Sequence, residues 1–96
     1  MLVLITYDVN TETEAGKKRL RKVAKACQNY GQRVQNSVFE CIIDPARFKQ
    51  LQANLEVLIN KDVDSLRYYY MGDEGNARVE HVGAKKPMDL KGTLIA

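Results

Sequence analysis

The sequence predicts an α+β fold in which two helices pack against one face of an antiparallel sheet. The prediction depends on an apolar opening segment, on two later segments with helical periodicity, and on strand-like segments between and after them. Residues 2–7 are rich in branched side chains and have no polar face, so they predict a central strand buried on both sides. A chain of 96 residues forms one domain, because two halves would be too small to bury separate cores.

The first helix is predicted directly after the opening strand. Thr11 and Glu14 have the spacing of a capping box, which favours a helix start at this point. We expect the helix to run to about Tyr30, with Gly31 as its stop signal. One apolar stripe with intervals of three and four residues defines its buried face: Leu20, Val23, Ala24 and Cys27.

The middle of the chain predicts further strand structure and a second helix. Residues 33–43 are strand material interrupted only at residues 35–37, so two antiparallel strands and one bent strand both fit. Asp44 and Pro45 have the pattern of an N-cap followed by proline at the first helical position. The apolar stripe of this helix is Phe48, Leu51, Leu55, Leu58 and Ile59.

Two strand candidates complete the fold. Residues 65–71 include three consecutive tyrosines, of which we expect two to face one layer and one the other, and residues 79–82 predict a short extra strand. The resulting order, β-α-β-β-α-β plus one strand, is that of the ferredoxin-like fold. We expect the core at about residues 1–72 and the extra strand with the tail at about 77–96. Because the second sheet face would expose apolar side chains, we also expect a homodimer.

Composition excludes several classes of protein. Hydrophobic residues at 45%, with 2 Pro and 6 Gly, are typical of a globular chain and not of a disordered or fibrous one. No apolar run is long enough to span a bilayer and no basic segment precedes the apolar start, so we expect a cytoplasmic protein with no membrane partner. Cys27 and Cys41 are expected to be reduced core thiols, and the lone His81 argues against a zinc site.

Positive charge is concentrated in the first third of the chain. Residues 1–30 hold six Lys and Arg against three acids, whereas residues 31–64 hold four against five. The basic cluster consists of Lys17, Lys18, Arg19, Arg21, Lys22 and Lys25. Such a helix face binds phosphates in many proteins, but it is also typical of a solvated helix surface, and the sequence leaves both interpretations open.

Asp8 is the strongest candidate for chemistry. It follows the predicted central strand, and a rigid strand end can aim a side chain accurately. One carboxylate with water molecules suits Mg²⁺, although an ordinary turn in which Asp8 caps Asn10 or Thr11 is the alternative. A two-fold axis near this strand end would bring a second Asp8 and would favour the metal site.

Three segments together resemble the small ferredoxin-like adaptation protein of CRISPR systems, the second of the two near-universal CRISPR-associated proteins. They are residues 5–9 (ITYDV), 18–23 (KRLRKV) and 31–40 (GQRVQNSVFE). The resemblance covers essentially the whole chain and is most specific over residues 33–40. The tail, at residues 80–83 and 92–95, resembles members from systems with a type I effector.

This resemblance implies a homodimer packed through its sheets, in which the strand at residues 79–82 crosses to the partner and the two Asp8 side chains hold Mg²⁺ or Mn²⁺. It implies a metal-dependent endonuclease that acts on single-stranded RNA or double-stranded DNA, and a DNA-binding scaffold for the CRISPR integrase protein in spacer acquisition. The residues that match the activity motif of the family are Asp8, Tyr7, Arg19, Arg33 and Phe39, and Arg21 matches less closely. A non-catalytic scaffold between integrase dimers and a toxin-like ribonuclease of similar fold are the alternatives.

Overall fold

The helices and strands follow one another in the predicted order. The structure, a computed structural model, describes residues 1–72 and 78–84. Its elements are β1 (Leu2–Asp8), α1 (Glu14–Gln28), β2 (Gly31–Gln35), β3 (Val38–Ile42), α2 (Pro45–Leu58), β4 (Ser65–Tyr70) and β5 (Arg78–Gly83). The predicted α+β, ferredoxin-like class is therefore confirmed.

β1 lies at the centre of a five-stranded antiparallel sheet in the order β2-β3-β1-β4-β5. Side chains alternate along a strand, so Val3, Ile5 and Tyr7 are buried in the core with the helices. Leu4 and Asp8 lie on the opposite side, which we call the open face because neither α1 nor α2 covers it. Among the described residues, β1 is fully buried on its helix side and only partly buried on the open face, which differs from the expectation of burial on both sides.

The core is built from the predicted stripes of both helices. Phe48 of α2 packs edge-on against the rings of Tyr68 and Tyr70, with centroid distances of 5.5 and 5.6 Å. Tyr69 pairs with Leu4 and faces the open side, so the predicted division of the three tyrosines is confirmed. Cys27 and Cys41 are buried free thiols, as expected.

The ends of α1 differ from the prediction. Thr13, and not Thr11, is the N-cap, because its Oγ1 accepts a hydrogen bond from the Gly16 N–H at 3.0 Å. The helix ends at Gln28, before Tyr30, and Gly31 begins β2 instead of stopping the helix. A Cβ on Gly31 would lie 2.5 Å from the Cys41 Sγ, so this glycine permits the close contact between β2 and β3.

The structure decides between the two alternatives for residues 33–43. They form two antiparallel strands with a turn at Asn36 and Ser37, and the register of β2 against β3 shifts between Arg33 and Gln35. The predicted start of α2 is confirmed, because the Asp44 side chain accepts a hydrogen bond from the Arg47 N–H at 3.0 Å.

β5 pairs with β4 of the same chain along its whole length. Its predicted crossing to a partner concerns a second copy of the chain and stays a prediction. Residues 73–77 and the tail from residue 85, with its resemblance at residues 92–95, lie outside the described residues. None of the helices in the described ranges is long and apolar enough to cross a membrane.

Candidate functional site

Asp8 is the last residue of β1, and its side chain is exposed on the open face. Its register partner in the neighbouring strand β4 is Ser65. Thr6 lies two residues earlier on the same face and pairs with Arg67, which in turn pairs with His81 of β5. The strand end therefore presents a carboxylate beside a polar row that includes a guanidinium group.

Asp64 lies directly before β4, and its carboxylate is completely buried. Its Oδ1 accepts hydrogen bonds from the Asn10 N–H at 2.9 Å and from Arg19 Nη2 at 3.4 Å. Its Oδ2 accepts from Arg19 Nε at 2.7 Å and from the Asn60 N–H at 2.9 Å. One carboxylate thus joins the turn after β1, the middle of α1 and the turn before β4.

The electrostatic state of Asp64 follows from these contacts. Burial acts to raise the pKa of Asp64, but the hydrogen bonds from Arg19, Asn60 and Asn10 outweigh it and hold the pKa below its usual range. The carboxylate is therefore ionised at neutral pH and forms a buried ion pair with Arg19.

Arg19 was predicted as a catalytic and nucleic-acid-binding residue. The structure directs its Nε and Nη2 atoms to Asp64 and leaves 20% of its side chain exposed. Its charge is balanced by a completely buried carboxylate. Its roles toward nucleic acid stay predictions.

Three further predicted catalytic residues come together on the helix side of the sheet. The rings of Tyr7 and Phe39 stack with their centroids 6.1 Å apart, and the Arg33 guanidinium lies 5.2 Å from the Phe39 centroid. The Tyr7 hydroxyl donates a hydrogen bond to the Asn36 carbonyl at 3.2 Å, and burial raises the pKa of this tyrosine although Arg33 opposes the shift. Asp8 lies on the opposite face, so this group supports the β2–β3 turn and does not meet the Asp8 carboxylate.

The exposed bases of α1 form one continuous stripe. It consists of Lys18, Arg21, Lys22 and Lys25, whose spacing places them on one helix face. We call these four residues the basic stripe. Lys17 lies beside it and contacts Glu14, with 3.4 Å between Nζ and Oε1.

Metal-ligating side chains of the described residues do not form a complete cluster. Across residues 1–72 and 78–84, no group of three or more His, Cys, Asp or Glu side chains is arranged to hold an ion. His81 is half-buried in β5, and its pKa is lowered by burial and by the nearby Arg67. A metal site at Asp8 would need ligands in addition to those that the described residues of one chain bring together.

Comparison with known proteins identifies the family. The sequence matches the family model described as CRISPR associated protein Cas2 over residues 1–79. The chain belongs to the Cas2 family. The resemblance inferred from the sequence is thereby confirmed, while the type I effector stays a prediction.

Similar members of the Cas2 family match nearly end to end. The CRISPR-associated endoribonuclease Cas2 of Chlorobaculum tepidum is 61% identical over 95 residues, which cover 99% of each chain. The CRISPR-associated endonuclease Cas2 of Halalkalibacterium halodurans is 60% identical over 95 residues, again covering 99% of each. The crystal structure of Streptococcus pyogenes Cas2 at pH 6.5 superposes with a TM-score of 0.71 and 58% identity, covering 77% of this chain and 89% of that one.

Asp64 is the buried charged residue near the candidate site that the sequence did not predict. The only signal in the sequence is an acid between a polar turn and a strand, and the neighbouring Asp62 has the same signal but is exposed. Its partner Arg19 is 45 positions away, so the ion pair becomes visible only in the folded chain.

Replacing Asp64 by asparagine is expected to lower the free energy of unfolding at neutral pH by about 3 kcal/mol, because Arg19 would keep a largely buried charge without its carboxylate. Folding holds the pKa of Asp64 below its ordinary value of 3.8. The ionised Asp64 carboxylate therefore stabilises the folded wild type fully above that pH, and this stabilisation is lost as the pH falls through the pKa of the folded state. The variant lacks this titration, and its unfolding free energy should fall less on acidification. Urea unfolding at a series of pH values measures both effects.

The matched control is Asp62→Asn, which removes an exposed carboxylate from the same turn. It is expected to keep the neutral-pH stability and the acid dependence of the wild type. Identical acid profiles for Asp64→Asn and the wild type would contradict the assignment of the buried charge.

Proposed function

We propose that the chain is a metal-dependent endonuclease that works as a homodimer and also serves as a DNA-binding scaffold for the CRISPR integrase protein in spacer acquisition. The observation that carries the proposal is the exposed Asp8 carboxylate at the end of the central strand, on the open face. Membership of the Cas2 family supports it, since similar members are named endoribonuclease or endonuclease.

The donor chemistry of Asp8 fits Mg²⁺ or Mn²⁺. Mg²⁺ binds hard oxygen ligands, keeps several water molecules and needs only one or two protein carboxylates. One Asp8 from each of two copies would supply such a pair. A bound ion would supply Lewis-acid polarisation of a phosphoryl oxygen and would ease deprotonation of a water molecule.

The open face supports the homodimer. Ile42 is 80% exposed and Val79 40% exposed on this face, and Leu4 and Tyr69 are only partly buried. Several exposed apolar side chains on one sheet face are typical of an interface. Because β1 lies at the centre of the sheet, a second copy packed on the open face would bring the two β1 strands, and with them the two Asp8 residues, toward one another.

The basic stripe is proposed to bind the nucleic-acid backbone. Arg19 contacts Asp64 and Arg33 covers Phe39, so the four bases of the stripe are the exposed cations of α1 and β2 best placed for phosphates. Backbone contacts carry no sequence information, which suits a protein that must accept any incoming DNA. The proposals of an integrase partner and of a role in spacer acquisition are based on membership of the Cas2 family.

Replacing Asp8 by asparagine is expected to lower cleavage of single-stranded RNA or double-stranded DNA by about 100-fold or more in Mg²⁺ or Mn²⁺, because the metal would lose its anionic ligand. Steady-state assays with each nucleic acid and each metal measure the loss. Asp62→Asn, which removes an exposed carboxylate from the turn before β4, should retain wild-type rates.

Cleavage that survives Asp8→Asn unchanged would contradict the catalytic proposal. A second assay, spacer acquisition in cells, separates the scaffold role. If acquisition is normal with Asp8→Asn but is lost when Lys18, Arg21 and Lys22 are reversed in charge, spacer acquisition requires the scaffold role and not catalysis.

Replacing Ile42 by lysine is expected to weaken dimerisation by about 100-fold, because the proposed interface would bury an unpaired charge. Val57→Lys is the matched control, since Val57 is 82% exposed on the outer side of α2 and Ile42 is 80% exposed on the open face. Sedimentation velocity across a concentration series measures both variants. Wild-type protein that sediments as a single chain at micromolar concentration, or equal effects of the two substitutions, would contradict the homodimer.

A further inference from the structure

The contacts of Asp64 surround the strand end that carries Asp8. Asn10, whose N–H donates to Asp64 Oδ1, lies two residues beyond Asp8 in the turn that leaves β1. Ser65, the residue after Asp64, is the register partner of Asp8 in β4. Asp64 therefore holds the turn that follows Asp8, and it is also the sequence neighbour of Ser65, which pairs with Asp8.

The main chain of Asp64 fastens a third strand at the same end of the sheet. Its carbonyl accepts a hydrogen bond from the Ala84 N–H at 3.0 Å. Gly83 has a φ of +110°, and a Cβ at this position would lie 2.2 Å from the same carbonyl oxygen. The end of β1, the start of β4 and the end of β5 thus meet around Asp64.

Helix α1 is held to this end by two close contacts. Gly16 approaches the turn so closely that a Cβ on it would lie 1.9 Å from the Asn10 carbonyl oxygen. One turn later, Arg19 reaches the Asp64 carboxylate with two of its nitrogens. The helix start and the turn after Asp8 are therefore positioned together.

Desolvation offsets much of the attraction in a buried ion pair of this kind, so the pair is weak evidence for added stability. Its value here lies in the number of groups that it fixes: four donors from three segments converge on one carboxylate. Supporting contacts of this type hold ligand residues in productive positions, and their loss typically lowers metal affinity or activity without removing any ligand.

We propose that Asp64 is a positioning residue for the Asp8 site, and that Arg19 acts on the reaction through Asp64 and not as a phosphate ligand. This inference rests on the proposed nuclease function. It assigns no contact with the substrate or the metal to either residue. Asp64 fixes the chain on both sides of Asp8, and Arg19 supplies the charge that keeps the Asp64 carboxylate in place.

Asp64→Asn is the first test, because it preserves the side-chain shape while the amide nitrogen can no longer accept hydrogen bonds from Arg19 or Asn60. We expect kcat to fall by about tenfold or more, KM for the nucleic acid to stay within about twofold, and the Mn²⁺ dissociation constant to rise by about tenfold. Mn²⁺ binding is measured by electron paramagnetic resonance titration. All assays are run at temperatures where circular dichroism shows folded protein, with Asp62→Asn as the control of unchanged kcat and Mn²⁺ affinity.

Arg19→Lys is the second test, and it keeps the positive charge while losing the two-nitrogen contact with Asp64. We expect kcat to fall at unchanged KM, and the double variant Asp64→Asn with Arg19→Lys to be no slower than Asp64→Asn alone within about twofold, because both changes remove one interaction. The matched control is Arg47→Lys, on the exposed start of α2, which should keep wild-type kcat. Multiplying effects in the double variant would mean that Arg19 acts independently, which would overturn the inference.

The outcomes separate this inference from the function on which it rests. An active wild type whose folded Asp64→Asn variant keeps its kcat and its Mn²⁺ affinity would overturn the positioning role alone. A wild type that neither cleaves nucleic acid nor binds Mn²⁺ would overturn the proposed function and the inference together. If Asp64→Asn fails to fold, Arg19→Lys decides: a lowered kcat at unchanged KM supports the positioning role, and a wild-type kcat overturns it.

Discussion

The hydrogen bonds of the buried Asp64 carboxylate determine how the end of the sheet is arranged. Donors from the turn after β1, from α1 and from the turn before β4 converge on its two oxygens. Because a buried carboxylate without donors is costly, these segments have little freedom to move independently. The exposed Asp8 thus lies on a rigid support, although its own side chain faces solvent on the open face.

Strand alternation divides the residues of the family motif between two environments. Tyr7 and Asp8 are adjacent in sequence, yet Tyr7 stacks on Phe39 under the helices and Asp8 points to the open face. Arg33 lies on the same face of the sheet as Tyr7, and its guanidinium lies over the Phe39 ring. The motif therefore combines a packing cluster that shapes the β2–β3 turn with a single exposed carboxylate. The residues predicted from one motif therefore lie on two different faces of the sheet.

Local patterns predicted most of the fold. The incorrect predictions concern features that depend on contacts between residues far apart in the sequence. The pair Asp44 and Pro45 predicts the start of α2 correctly, because an N-cap depends only on nearby backbone groups. Thr11 has capping-box spacing with Glu14, yet the structure caps the helix with Thr13, and the close approach of Gly16 to the Asn10 carbonyl fits this later start. For the candidate site, the sequence predicts Asp8 at the end of a strand, and the structure places it there with an exposed side chain. The Asp64–Arg19 pair was not predicted, because no periodicity links residues 45 positions apart.

In the proposed function, two copies of the chain bring their Asp8 residues to a shared divalent cation across the open face. Anomalous diffraction from crystals of the full chain grown with Mn²⁺ tests it most directly, because the signal locates the metal independently of activity. The account predicts an anomalous peak on the two-fold axis, within coordinating distance of both Asp8 carboxylates. A dimer whose Asp8 side chains point apart, with Mn²⁺ absent or held elsewhere, would contradict it.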